Sequence, residues 1–170
     1  MSLSGPARPG KRQSEPMKAT LTLLALSCAA AAPPSSTGVR SITLERDCGG
    51  CAQSLRITLR SDDSLEWVSP GHERMGTQEQ RFSAHLRTGQ FHAIASLFIG
   101  KNFLALADDY ADPTLQDGPW SRLELEREDR SVKQVWRRGE AGPAVLNELE
   151  AAVEAVAAEA RAADPPRDKP

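Results

Sequence analysis

Ile42 and Leu44, and then Leu55, Ile57 and Leu59, alternate with polar neighbours, the period-two mark of strands with one buried face. Asp62-Asp63-Ser64 predicts a tight turn, because short Asx side chains bond their own backbone and tolerate turn geometry. Leu65 and Trp67 resume the alternation, and Phe82, Ala84 and Leu86 set a fourth strand over residues 81–86, completing a meander. The spacing then changes. Phe91, Ile94, Ala95 and Phe98 recur every three or four residues, which predicts a helix over about 89–98, capped by Thr88 and stopped by Gly100 or Asn102. Phe103, Leu104 and Leu106 are expected to pack beneath it, ahead of a loop over 108–119.

Two more strands are expected over 121–126 and 131–136, joined by the charged turn 127–130. Leu123 and Leu125 face inward, while the pattern leaves the faces of Val132, Val135 and Trp136 open. Pro143 suits a first helical turn, and Val145, Leu146, Leu149, Val153 and Val156 form a stripe through an Ala- and Glu-rich segment. The predicted order is β-β-β-β-α-β-β-α, an α+β fold with a mostly antiparallel sheet packed against two helices.

A different pattern occupies the front of the chain. Lys18 precedes an apolar run that reaches Ser27 and Cys28, and from Ala19 to Ala32 the run is 14 residues long. A helix needs about 20 to cross the hydrocarbon core of a bilayer. A basic start, an apolar stretch of this length and small residues at its end are the parts of a secretory signal. Ala25-Leu26-Ser27-Cys28 resembles the bacterial lipobox, with Ala25 where Leu is usual. That resemblance implies cleavage before Cys28 and acylation of its thiol. Two alternatives stay open: cleavage after one of Ala30 to Ala32, giving a soluble secreted or periplasmic product, and a leader kept as a buried helix, against which Pro33-Pro34 argues. The residues before Met17 are rich in Ser, Gly, Pro and basic side chains, unlike a signal, so translation is expected to start at Met17.

The expected organisation is therefore a leader over 1–27, a lipid-attachment cysteine with an Ala/Pro/Ser spacer over 28–38, a single α+β domain over 39–163 and a disordered tail over 164–170. From Cys28 onward the chain has 143 residues, with 17 basic against 22 acidic side chains. That length supports one core, and the interspersed charges exclude the basic stripe that a nucleic-acid binder needs. Membrane contact is expected only through a lipid on Cys28, and the Ala29 that follows it permits an outer-membrane anchor facing the periplasm in a Gram-negative cell.

Between the first two predicted strands stands Cys48-Gly49-Gly50-Cys51, preceded by Ile42-Thr43-Leu44-Glu45-Arg46-Asp47. With Tyr110, Asp117, Lys133 and the helix after Pro143, this resembles an uncharacterised bacterial envelope domain family marked by Cys-Phe-Gly-x-Cys-Pro between its first two strands. The resemblance covers about residues 42–156. It implies a fold and an envelope location but no reaction. Here the second cysteine comes one residue early, Gly49 stands for Phe, and Ala52 or Gln53 replaces the Pro.

Three thiols leave an odd one in an oxidising compartment, whereas lipidation of Cys28 leaves Cys48 and Cys51 as a pair. Three readings of that pair compete. A structural bridge fixes the connection between two strands; a thiol-disulfide redox pair is the enzymatic alternative; a metal site lacks partners, since His72, His85 and His92 show no ligand spacing. Asp108, Asp109, Asp112 and Asp117 crowd one loop without the spacing or central Gly of a calcium loop. No complete catalytic constellation, cofactor motif or metal-ligand set is present in the sequence. Trp67 and Trp136 are expected as core fillers, and Trp120, beside Gly118-Pro119, as the exposed aromatic; Asp117 and Trp120 are the candidate recognition residues. These observations point to a binding or structural module with a protein partner in the envelope; a secreted inhibitor or effector partner is a third reading.

Overall fold

The computed structural model describes residues 37–48, 54–111, 114 and 117–163. The leader with Cys28, the second cysteine Cys51, Asp112 and the 164–170 tail lie outside the described residues. The alternating segments form β1 (Val39–Asp47), β2 (Leu55–Arg60), β3 (Ser64–Ser69) and β4 (Gln80–His85), each antiparallel to the next. The predicted meander is thus present, with β1 longer than the alternation alone marks. A short parallel strand, β5 (Asp109–Tyr110), lies inside what reads in the sequence as a loop. The remaining strands are β6 (Trp120–Arg127) and β7 (Val132–Arg138). Seven strands form one sheet in the order β4-β3-β2-β1-β6-β7-β5.

The sheet buries one face. Ile42, Leu44, Ile57, Leu59, Leu65, Leu123, Leu125 and Val135 share a single core cluster with residues of two helices, α1 (Gln90–Gly100) and α2 (Val145–Ala163). From α1 come Phe91, Ile94, Ala95 and Phe98, and from α2 come Leu146, Leu149, Val153 and Val156. These are the residues whose spacing marks each helix, because one side of a helix must face the sheet for its apolar stripe to leave water. Phe103 fills the space under α1, its ring edge-on to Phe98 with centroids 5.1 Å apart. Leu104, expected beside it, is instead exposed.

Two further details differ from expectation, the cap of α1 and the place of Trp136, and the faces of Val132 and Val135 are resolved. α1 takes no cap from Thr88. Its N-cap is Gly89, whose φ of 79° suits a residue without a Cβ, and the Asp63 carboxylate accepts hydrogen bonds from the Gly89 and Phe91 N–H groups at 3.3 Å each. Of the tryptophans, Trp67 packs against the core beneath the Arg161 guanidinium, 4.3 Å from the ring centroid. Trp136 falls on the other face of the sheet, where Arg138 lies over its ring at 5.2 Å. Val135 is the inward residue of β7, and Val132 is exposed.

No described helix covers that second face. It carries rungs of charge, including Arg56–Glu45 at 2.6 Å, Arg60–Glu66 at 2.9 Å and Arg81–Glu66 at 2.7 Å, with Arg122 also on Glu45. Among the described residues no helix is long and apolar enough to cross a membrane.

Candidate functional site

The period-two pattern that buries Leu44, Leu123 and Val135 also points Arg46, Ser121 and Arg137 toward the helices, near one end of the sheet. There they meet Glu150, which lies on the buried side of α2 between Leu146 and Val153 and is 1% exposed. Arg137 grips its carboxylate with two parallel bonds, Nε to Oε1 and Nη2 to Oε2, both at 2.8 Å. The Ser121 hydroxyl donates to Oε1 at 2.7 Å, and Arg46 donates to Oε2. Arg46 also reaches Glu154, one turn further along α2, at 2.6 Å. Burial pushes the Glu150 carboxyl up, but the hydrogen bonds from Arg137, Ser121 and Arg46 outweigh it and hold the group below the usual carboxylate range.

This network floors a recess of about 290 Å³ between the ends of β6 and β7 and the first turns of α2. Pro119, Trp120, Glu140 and Asn147 line it together with Arg137, and by the alternation of β6 the Trp120 side chain lies on the face opposite Ser121. Trp120 is the first residue of β6, half-buried, and pairs across the ladder with Asp47 on one side and Arg138 on the other. It is a strand residue at the sheet's end and not the exposed loop aromatic that the sequence indicates.

The other candidates stand apart. Asp117 is exposed and takes no part in the recess. Cys48 follows the end of β1, and no helix among the described residues begins beside it. His72 is in the β3–β4 connection, His85 in β4 and His92 in α1. Among the described residues no group of three His, Cys, Asp or Glu side chains is placed to hold a metal ion. Lys133, which the family resemblance marks, donates to the Leu106 carbonyl at 2.6 Å and pairs with Asp108, tying the segment before β5 to β7.

A second concavity lies on the helix-free face, about 190 Å³ between Arg56 and Arg81. Its guanidinium groups are already matched, Arg56 to Glu45 at 2.6 Å and Arg81 to Glu66 and Glu79 at 2.7 and 3.0 Å. The recess beside Trp120 is the better-built site, having the buried charges of Arg137 and Glu150 and the exposed polar side chains of Glu140 and Asn147 in its lining. Family models give no match to this chain, and neither do the curated proteins.

Proposed function

We propose that this chain is an exported, lipid-anchored module of the bacterial cell envelope that binds its ligand or protein partner in the recess beside Trp120. The observation that carries the binding half is that recess, lined by Arg137 and Glu150 of a buried ion-pair network. The export half rests on the leader ahead of Cys28 and on the even thiol count that lipidation leaves. The family resemblance adds an envelope habitat and no activity.

A structural bridge between Cys48 and Cys51 belongs to the same reading. Asp47 Oδ1 accepts both the Cys48 N–H at 2.6 Å and the Ser54 hydroxyl at 2.7 Å, so one carboxylate ties together the two stems of the segment that holds Cys51. The register of β1 with β2, with Arg46 opposite Leu55, supports the same closure. A strand-to-strand clamp of this kind favours the binding module over the redox alternative.

Two measurements test the proposal. Intact mass of the membrane-extracted protein should show a chain starting at Cys28, the added acyl groups and the loss of two hydrogens for the bridge. An unacylated chain with its leader retained ends the export half. For the binding half, the Arg137 Nε–H resonance is followed during titration with a panel of amino acids, short peptides, sugars and phosphate esters. Saturable movement with at least one class is expected, and a resonance indifferent to all of them ends it.

A further inference from the structure

We propose that the recess beside Trp120 recognises a carboxylate, the α-carboxylate of an amino acid or of a peptide's last residue, through the unpartnered arm of Arg137. The proposal rests on the binding reading above and names its ligand. Arg137 is 6% exposed, and a guanidinium has five N–H donors. Nε serves Ser121 Oγ at 3.1 Å and Glu150 Oε1 at 2.8 Å, and Nη2 serves Glu150 Oε2. Nη1 is buried and has no hydrogen-bond partner.

Glu150 cannot supply the missing acceptor, because its two oxygens already take four bonds, from Ser121, from both Arg137 nitrogens and from Arg46. Arg46 is in turn divided between Glu150 and Glu154. The buried network therefore has one guanidinium edge left over, and a buried donor without an acceptor is destabilising unless something fills it. A carboxylate is the group whose planar geometry matches such an edge.

The surroundings select among anions. Glu140, Glu150 and Glu154 stand against Arg46 and Arg137, so a phosphate dianion enters a negative balance that a single carboxylate meets less severely. Asn147, exposed in the first turn of α2, supplies an amide for the second oxygen, and the positive end of that helix favours the same charge. Glu140 in the lining offers a carboxylate to an ammonium group, and Pro119 an apolar contact to a small side chain. A recess of about 290 Å³ suits a ligand of amino-acid size. Because Nη1 is closed off from solvent, binding requires a side-chain movement in the lining of the recess.

The test uses the full chain and four probes: L-alanine, N-acetyl-L-alanine, N-acetyl-L-alanyl-L-alanine and N-acetyl-L-alaninamide. The Arg137 Nε–H resonance reports occupancy. The acids are expected to bind saturably and the amide about tenfold more weakly or worse. Tighter binding of L-alanine assigns the site to free amino acids through Glu140, and tighter binding of the acetylated acids assigns it to peptide ends. Arg137→Lys should weaken the acids about tenfold, and Asn147→Ala, an exposed change that spares the buried network, should weaken them severalfold while unfolding stays cooperative. Equal binding of acid and amide, or binding of only sugars or phosphate esters from the wider panel, overturns the carboxylate assignment and leaves the binding module standing. If no probe and no panel member moves the Arg137 Nε–H resonance, both fall together.

Discussion

Glu150 is ionised in a place where burial alone would neutralise it, so its charge depends on the four donors around it. Glu150→Ala leaves Arg137 as an unpaired buried cation and should cost roughly 3–5 kcal/mol in urea unfolding. Glu154→Ala, which leaves Arg46 still held by Glu150, should cost less than about 1 kcal/mol. The pH dependence has a definite sign. The folded-state carboxyl lies below its ordinary value of 4.5, so its contribution is complete above that value and is lost as pH falls through the lowered one. Asp62, Glu66, Glu126 and Asp129 are also lowered and remain in a Glu150→Gln variant. Only the difference between the two acid-unfolding profiles belongs to Glu150, and that difference should shrink as the pH drops. Three members of the network are readable alone, Arg46 two places after Leu44, Ser121 two before Leu123 and Glu150 within the stripe of Leu146 and Val153, whereas Arg137 lies just past the strand read over 131–136, in which the face of Val135 stays open. Their meeting is not readable, because it requires β6 to pair with β1 and α2 to cross where those strands end.

At the level of elements, regular spacing made the strands and both helices legible, and their junctions were not. Thr88 has the chemistry of a cap, but the cap of α1 comes from Asp63, in a turn distant in sequence that the fold brings to the helix start. Asp63→Ala removes both bonds and places a Cβ-bearing residue of low turn tolerance at φ 58°, and should cost about 1–2 kcal/mol. Thr88→Ala should stay within about 0.5 kcal/mol. Thermal unfolding of the two variants separates the two assignments. β5 escaped notice because two residues carry no period; it forms because Tyr110 and Asp109 are held against β7 by the ladder and by the Trp136 N–H on the Asp108 carbonyl at 2.8 Å. The turn into α2 depends on Gly142, with φ 96° and a Tyr110 ring atom 2.8 Å from where a Cβ would stand. Gly142→Ala should therefore destabilise by more than about 1 kcal/mol and loosen β5, seen as faster amide exchange at Tyr110.

At the scale of the whole molecule, the described residues form one sheet with helices on one face and a charged face that no described helix covers. Exposed ion pairs of that kind contribute little and are screened by salt, so the stability of the body resides in the cluster beneath the helices. Leu149 and Phe98 are fully buried in it, and Leu149→Ala should cost about 2–5 kcal/mol. By the same reasoning neither the proposed anchor nor the proposed bridge carries the fold. A bridge between Cys48 and Cys51 closes so short a loop that its removal should cost only about 2 kcal/mol on the loop-closure model, while six residue pairs between β1 and β2 remain. Cys28→Ser, which lies outside that body in sequence, should move the protein out of the membrane fraction and leave its Tm unchanged. The double change Cys48→Ser with Cys51→Ser should do the reverse, lowering Tm by several degrees with the membrane fraction unaltered. If the serine at position 28 instead leaves the chain in the membrane fraction, attachment does not run through that thiol, and the export reading loses its main support. If titration against glutathione places the Cys48–Cys51 pair well above about −300 mV, the bridge is a reducible one and the redox reading replaces the structural clamp.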